Sequence, residues 1–188
     1  ATALAHDWET GIHAQRVADL AEATARILQP REEHSLVRVA GLLHDIGKIG
    51  IPETILHKPG PLTEEEWQIM QRHPAMGYHI LHQIGGVFER LAHIVIAHHE
   101  WWNGRGYPNR LVKTAIPFLA RVLAVADCFD TMTSLRPYRH MPLTVSEAKS
   151  ELRRGAGSQF DPCVVGAFLA MLEERSSCTE NGGDDTCV

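Results

Sequence analysis

Residues 116–134 are apolar on nearly every helical face, yet they carry Asp127 and, one turn later, Asp130. Val122, Leu123, Val125, Ala126 and Phe129 flank the first carboxylate. A stretch this long and this apolar predicts a central helix buried on most sides. An ionised carboxylate inside such a helix is costly unless a metal or a polar partner meets it. The fold must therefore bring a partner to Asp127.

Histidine is the abundant candidate. The chain has 12 histidines in 188 residues, against four cysteines and no C-x-x-C. A thiolate zinc site is therefore not expected, and a centre of imidazole and carboxylate is. Residues 41–52 read G-L-L-H-D-I-G-K-I-G-I-P, with His44 and Asp45 adjacent and Lys48 four residues after the histidine. Such a pair offers one imidazole nitrogen and a carboxylate whose two oxygens can bridge two ions. On a helix, Lys48 would share the face of His44. Glu9 and His13, also four apart, share a face of the first helix. His73 closes a third helix before Pro74, and His98-His99 end a fifth. Taken singly, each has an ordinary explanation as a helix-end charge or a surface imidazole. Together they form a ligand set spread over five helices.

The remaining periodicity is helical throughout. Helices are expected at about 10–28, 32–48, 63–73, 74–83, 87–99, 116–134, 144–155 and from 161 onward. Val17, Leu20, Ala21, Thr24, Ile27 and Leu28 mark the buried side of the first, and Leu36, Val39, Ala40 and Leu43 that of the second. Thr63 with Glu66, and Thr144 with Glu147, are capping boxes. Asp161-Pro162 places an N-cap before a first-turn proline. Residues 49–62, 100–115 and 136–142 read as loops, and 176–188 as a polar, disordered tail. The fold class is all-α: one helical bundle domain over 1–175 with about seven or eight helices.

Net charge is −5, which offers no general attraction for a nucleic-acid polymer. No apolar run approaches the length of a membrane span. Cys128 and Cys163 fall in apolar helical settings and are expected to be buried thiols, consistent with a reducing cytoplasm. The absence of an initiator Met and of a signal peptide suggests a domain taken from a longer protein.

Three runs carry a resemblance: H-D-I-G-K-I-G-I-P, H-H-E-W-W-N-G-R-G-Y-P and D-C-F-D-T-M-T-S-L-R-P-Y-R. In this order, over residues 9–168, they resemble the HD-GYP family, a branch of the HD-domain metal phosphohydrolases that hydrolyse cyclic dinucleotides, chiefly cyclic di-GMP. The resemblance implies an HD-type bundle with a multinuclear metal site at its centre. It implies ligands at His13, His44, Asp45, His73, His98, His99 and Asp127, with Asp45 bridging two ions. Glu9 resembles the position that distinguishes members holding three metals. Two or three divalent ions, iron or manganese, are implied. Lys48 and Asp130 match positions supporting the site, and Tyr107, Arg136 and Arg139 match substrate contacts. Asn103 and Thr131 stand where other members often have Asp and Ala.

The expected reaction is in-line attack on phosphorus by a metal-activated hydroxide, taking cyclic di-GMP to pGpG and, with Glu9 in place, on to GMP. Another cyclic dinucleotide such as cyclic GMP-AMP, or a signalling module with little chemistry, are the alternatives. The resemblance also implies an N-terminal sensory or receiver domain in the full protein; a dimer is a further expectation.

Overall fold

The computed structural model describes residues 2–28, 34–135 and 141–180, with backbone alone at 2–10 and 176–180. The helices among the described residues are α1 (Thr2–Leu28), α2 (His34–Leu43), α3 (Glu53–Leu56), α4 (Glu64–Met70), α5 (His73–Ile84), α6 (Val87–Ile96), α7 (Phe118–Thr133), α8 (Val145–Gly155) and α9 (Pro162–Glu180). Two 3-10 turns, Ile46–Gly50 and Lys113–Ala115, complete the helical content. Only isolated bridges, such as Asn103 with Val112, occur among the described residues. The all-α expectation is met, and single-turn α3 is an addition inside a segment expected to be loop.

Packing follows the buried stripes. Helix α1 lies against α2, α7 and α9, while α5 packs on α6 and on the first 3-10 turn. On α7, Leu119, Val122, Leu123 and Ala126 are buried, as predicted for a central helix. Phe129 meets Phe168 of α9 edge-on, ring centroids 5.1 Å apart. Burying one such ring contributes about 2–3 kcal/mol. Both capping boxes form, Thr63 with Glu66 and Thr144 with Glu147. Asp161 Oδ1 accepts the Cys163 amide at 2.9 Å and caps α9.

Several helix ends depart from expectation. Helix α1 starts at Thr2, well before residue 10. Helix α2 stops at Leu43, so His44 and Asp45 lie in a turn rather than mid-helix. Its buried residues are Val37, Ala40 and Gly41, with Val39 exposed, because the stripe is set by the crossing with α1. Helix α4 ends at Met70, and His73 opens α5 with Pro74 in the first turn instead of closing the preceding helix. Helix α6 ends at Ile96, two residues short of His98. Helix α9 runs on to Glu180, past the expected boundary at 175. Cys163 is exposed and Cys128 half-buried, since the first turn of α9 faces outward at residue 163.

Candidate metal centre

Five elements deliver the donors. Helix α1 presents His13, the turn after α2 presents His44 and Asp45, and the start of α5 presents His73. The exit from α6 presents His98 and His99, and α7 presents Asp127 and Asp130. His13, His44, His73, His98 and Asp130 are all buried. His44 and His98 each sit where the apolar stripe of the preceding helix would place its next residue. Val37, Ala40, Gly41 and His44 run i, i+3, i+4, i+7, and so do Leu91, Ile94, Val95 and His98.

Gly47 makes the meeting possible. A Cβ there would lie 1.9 Å from the His73 carbonyl oxygen and 2.5 Å from the Gly77 nitrogen. Only glycine lets the 3-10 turn approach the α5 backbone so closely, and that approach sets Asp45 beside His73. The 3-10 turn also corrects the expected place of Lys48. Its ammonium donates to Asp45 Oδ2 at 2.6 Å, three residues back, rather than sharing a helical face with His44.

The rings are oriented by backbone. His44 Nδ1 donates to the Gly41 carbonyl (2.7 Å), His73 Nδ1 to Met70 (2.8 Å) and His98 Nδ1 to Val95 (2.5 Å), each three residues back. A carbonyl can only accept, so each Nδ1 carries hydrogen and each neutral ring keeps its lone pair on Nε2. His13 differs: its Nδ1 meets Asp130 Oδ2 at 2.6 Å and its Nε2 faces Asp127 Oδ1 at 3.2 Å.

The possible ligand atoms converge in two groups, His73, His98 and His99 in one and His13, His44 and Asp45 in the other. His73 Nε2 and His98 Nε2 lie 3.4 Å apart, two acceptors facing each other in a buried space. Such an arrangement fits an electrophile between them, and a borderline divalent cation suits an all-imidazole and carboxylate set. Asp45 joins the groups, with Oδ1 3.3 Å from His73 Nε2 and Oδ2 3.3 Å from His44 Nε2. The donor set thus fits divalent metal binding.

Protonation differs between the groups. Burial, then the neighbouring imidazoles, pushes His98 far below the usual histidine range. Burial likewise lowers His99 to about 4. For His44 burial acts downward too, but the charges of Asp45 and Asp127 outweigh it and raise the ring to about 9. His13 is raised despite burial by its bonds to Asp127 and Asp130. Asp127, against its own burial, is held well below the carboxylate range by His13 and His44.

A model of the HD domain matches residues 4–164. The chain belongs to the HD domain family. This HD domain is 42% identical over 170 residues to a cyclic di-GMP phosphodiesterase of Thermotoga maritima, covering 89% of this chain and 46% of that protein. It is 41% identical over 168 residues to 3'3'-cGAMP-specific phosphodiesterase 2 of Vibrio cholerae, covering 88% of this chain and 32% of that one. The chain thus spans about a third to a half of the length of these curated relatives. Its fold resembles that of an HDG"Y"P protein from Bdellovibrio bacteriovorus, with TM-score 0.69, 20% identity, and 87% and 52% of the two chains covered. No helix among the described residues is long and apolar enough to cross a membrane.

Of the remaining expected residues, Tyr107 lies beside the cluster, its ring tilted 32° to His99 with centroids 4.9 Å apart. Burial, then the charges of Asp45 and Asp127, pushes its hydroxyl pKa up. Gly106 allows this placement, since a Cβ there would lie 2.5 Å from the His99 carbonyl oxygen. Glu9 lies in α1 where only the backbone is described, and Arg136 and Arg139 lie outside the described residues.

The HD domain also makes contacts that sequence reasoning passed over. Arg16, one helical turn after His13, binds both oxygens of Asp130 and the Ser134 hydroxyl. The spacing of His13 and Arg16 on one helical face was the available signal. Thr131 donates to Asp127 Oδ1 at 3.3 Å, so the departure from Ala adds a hydrogen bond. Buried Glu100 accepts from the amides of Asn109 (2.6 Å) and Leu111 (3.0 Å), tying down the loop that carries Tyr107.

Proposed function

We propose that this HD domain is a metal-dependent phosphodiesterase that hydrolyses cyclic di-GMP to pGpG and then to GMP. The observation that carries the reading is the convergence of Nε2 lone pairs at His73 and His98, linked through Asp45 to the group at His13 and His44. The proposed ligands are His13, His44, Asp45, His73, His98, His99 and Asp127, with Glu9 for a third ion and iron or manganese as the metals. Held there, divalent ions would supply Lewis acidity and an activated water for cleavage of a phosphodiester.

The protein's own residues prepare that chemistry. Backbone carbonyls of Gly41, Met70 and Val95 fix the tautomer and direction of three rings. Asp130, braced by Arg16, orients His13 from behind. Lys48 neutralises part of Asp45 and, in this reading, would meet charge growing on phosphoryl oxygens. Tyr107 forms the wall next to His99, against which substrate rests, and Arg136 and Arg139 contact its phosphates or guanine.

The name of the Thermotoga maritima relative supports cyclic di-GMP, while that of the Vibrio cholerae relative keeps cyclic GMP-AMP as a second reading. Protein loaded with iron or manganese under reducing conditions is incubated with each dinucleotide, and products are separated by chromatography. Turnover of cyclic di-GMP in preference to cyclic GMP-AMP is expected; turnover of neither overturns the reading. Glu9→Ala should lower metal content by one ion and stop the reaction at pGpG. A module that binds dinucleotide without hydrolysing it has no use for the complete donor set. In the full protein, the domain is proposed to act in the cytoplasm, as part of a dimer, beneath an N-terminal sensory or receiver domain.

A further inference from the structure

A hollow of about 550 Å³ lies on the side of Tyr107 and is lined by Gln68 and Gln71 with Arg72, Arg105 and Arg110. It belongs to none of the donor groups. It shares Tyr107 with the centre, since that ring is the wall of the hollow and also tilts over His99. The side chains of Arg72, Arg105 and Arg110 are exposed and make no ion pair or hydrogen bond among the described residues. Three unneutralised guanidinium groups around one hollow, in a chain of net charge −5, concentrate positive potential beside the centre.

The loop holds one of them against its own preference. Arg110 has φ of +55°, a left-handed conformation that residues with a side chain seldom adopt. Glu100, only 3% exposed, takes the amides on both sides of Arg110, those of Asn109 and Leu111, and so fixes that turn. Arg105 is set by its neighbour: Asn103 Oδ1 accepts the Arg105 amide at 3.0 Å. A buried carboxylate spent on backbone amides and a strained arginine both act to present guanidinium groups on this wall.

Guanidinium forks suit phosphate oxygens, and primary amides suit the edges of bases. We propose that the hollow is the subsite for the second phosphate of a cyclic dinucleotide, the one not at the metal centre. Arg72, Arg105 and Arg110 hold that phosphate, and the Gln68 and Gln71 amides meet the edge of the adjoining base. This assignment rests on the phosphodiesterase reading above. It makes the hollow a determinant of substrate class, because a simple phosphodiester has no second phosphate to place there.

The test compares metal-loaded wild type with Arg72→Gln, Arg105→Gln and Arg110→Gly on two substrates, cyclic di-GMP and bis(4-nitrophenyl) phosphate. The ratio of kcat/KM for the dinucleotide to that for the small diester should fall about tenfold per guanidinium, carried by KM. Salt should raise KM for cyclic di-GMP more steeply in wild type than in the variants. Arg110→Gly should melt at or above the wild-type temperature, since glycine adopts this φ freely, which separates lost recognition from lost folding. A ratio within twofold of wild type in all three variants overturns the subsite while leaving the phosphodiesterase reading intact. Wild type that cleaves the small diester but neither cyclic dinucleotide overturns the substrate reading, and the subsite with it.

Discussion

His73, His98 and His99 face mainly one another, whereas His13 and His44 each stand against two carboxylates, Asp127 and Asp130 for the first and Asp45 and Asp127 for the second. Both groups are buried, and burial alone would strip the proton from all five rings. It does so in the first group, where His99 falls to about 4. In the second, paired negative charge reverses the outcome and His44 rises to about 9. Identical side chains at similar depth thus differ in protonation. One is a cluster of neutral lone pairs. The other holds a protonated His44, from which a binding cation would have to displace the proton.

Asp45 is the residue on which both groups depend, so its loss should do the most damage. Asp45→Asn is expected to lower hydrolysis on the order of 10³-fold, several kcal/mol of transition-state stabilisation. Metal analysis by mass spectrometry should show lost occupancy at the same time, and full occupancy with full turnover would break the proposed linkage.

Gly47→Ala attacks the linkage through packing instead of charge. The methyl has no room against the α5 backbone, and destabilisation of about 3 kcal/mol is expected in urea unfolding. An unchanged midpoint would mean that the turn and α5 can separate without cost.

Asp130→Asn should distinguish the groups. It removes the charge behind His13 and nothing from the imidazole cluster, so metal affinity should drop about 10–100-fold at one site only. Stepwise titration with manganese reads this directly, and equal weakening of all sites would erase the distinction.

The smallest expected effect is on pH. At pH 7 metal loading should release about one proton, traced to His44, and affinity should strengthen as pH rises toward 9. In chelator-treated protein the sign reverses. A ring whose folded pKa is raised stabilises fully below about 6.5, and that contribution is lost as pH climbs through about 9. Melting temperature of that form should therefore fall over this interval. Calorimetry in buffers of different ionisation enthalpy counts the proton.

The candidate donors were legible because each breaks an apolar pattern: Asp127 inside a buried helix, His44-Asp45 at the end of another, His98-His99 after a third. Helix termini were not. Nothing in G-L-L-H-D-I-G-K says that regular helix stops at Leu43, because the stop is set by Gly47 wedging against α5. Arg16 and Glu100 were missed for a related reason. Each looks like a solvated charge in the chain, and only contact with Asp130 or with the loop at 109–111 gives it work.

Residue type and period by themselves determined an all-helical chain with a histidine and carboxylate centre, since burial of an ionised Asp127 demands partners wherever it lies. Tertiary structure decided which nitrogen of each ring faces the centre, which rings keep a proton, and where Lys48 and Arg110 point. Those outcomes depend on distances between segments remote in sequence, and electrostatic energy in a buried site changes steeply over the few ångströms that chain order does not specify.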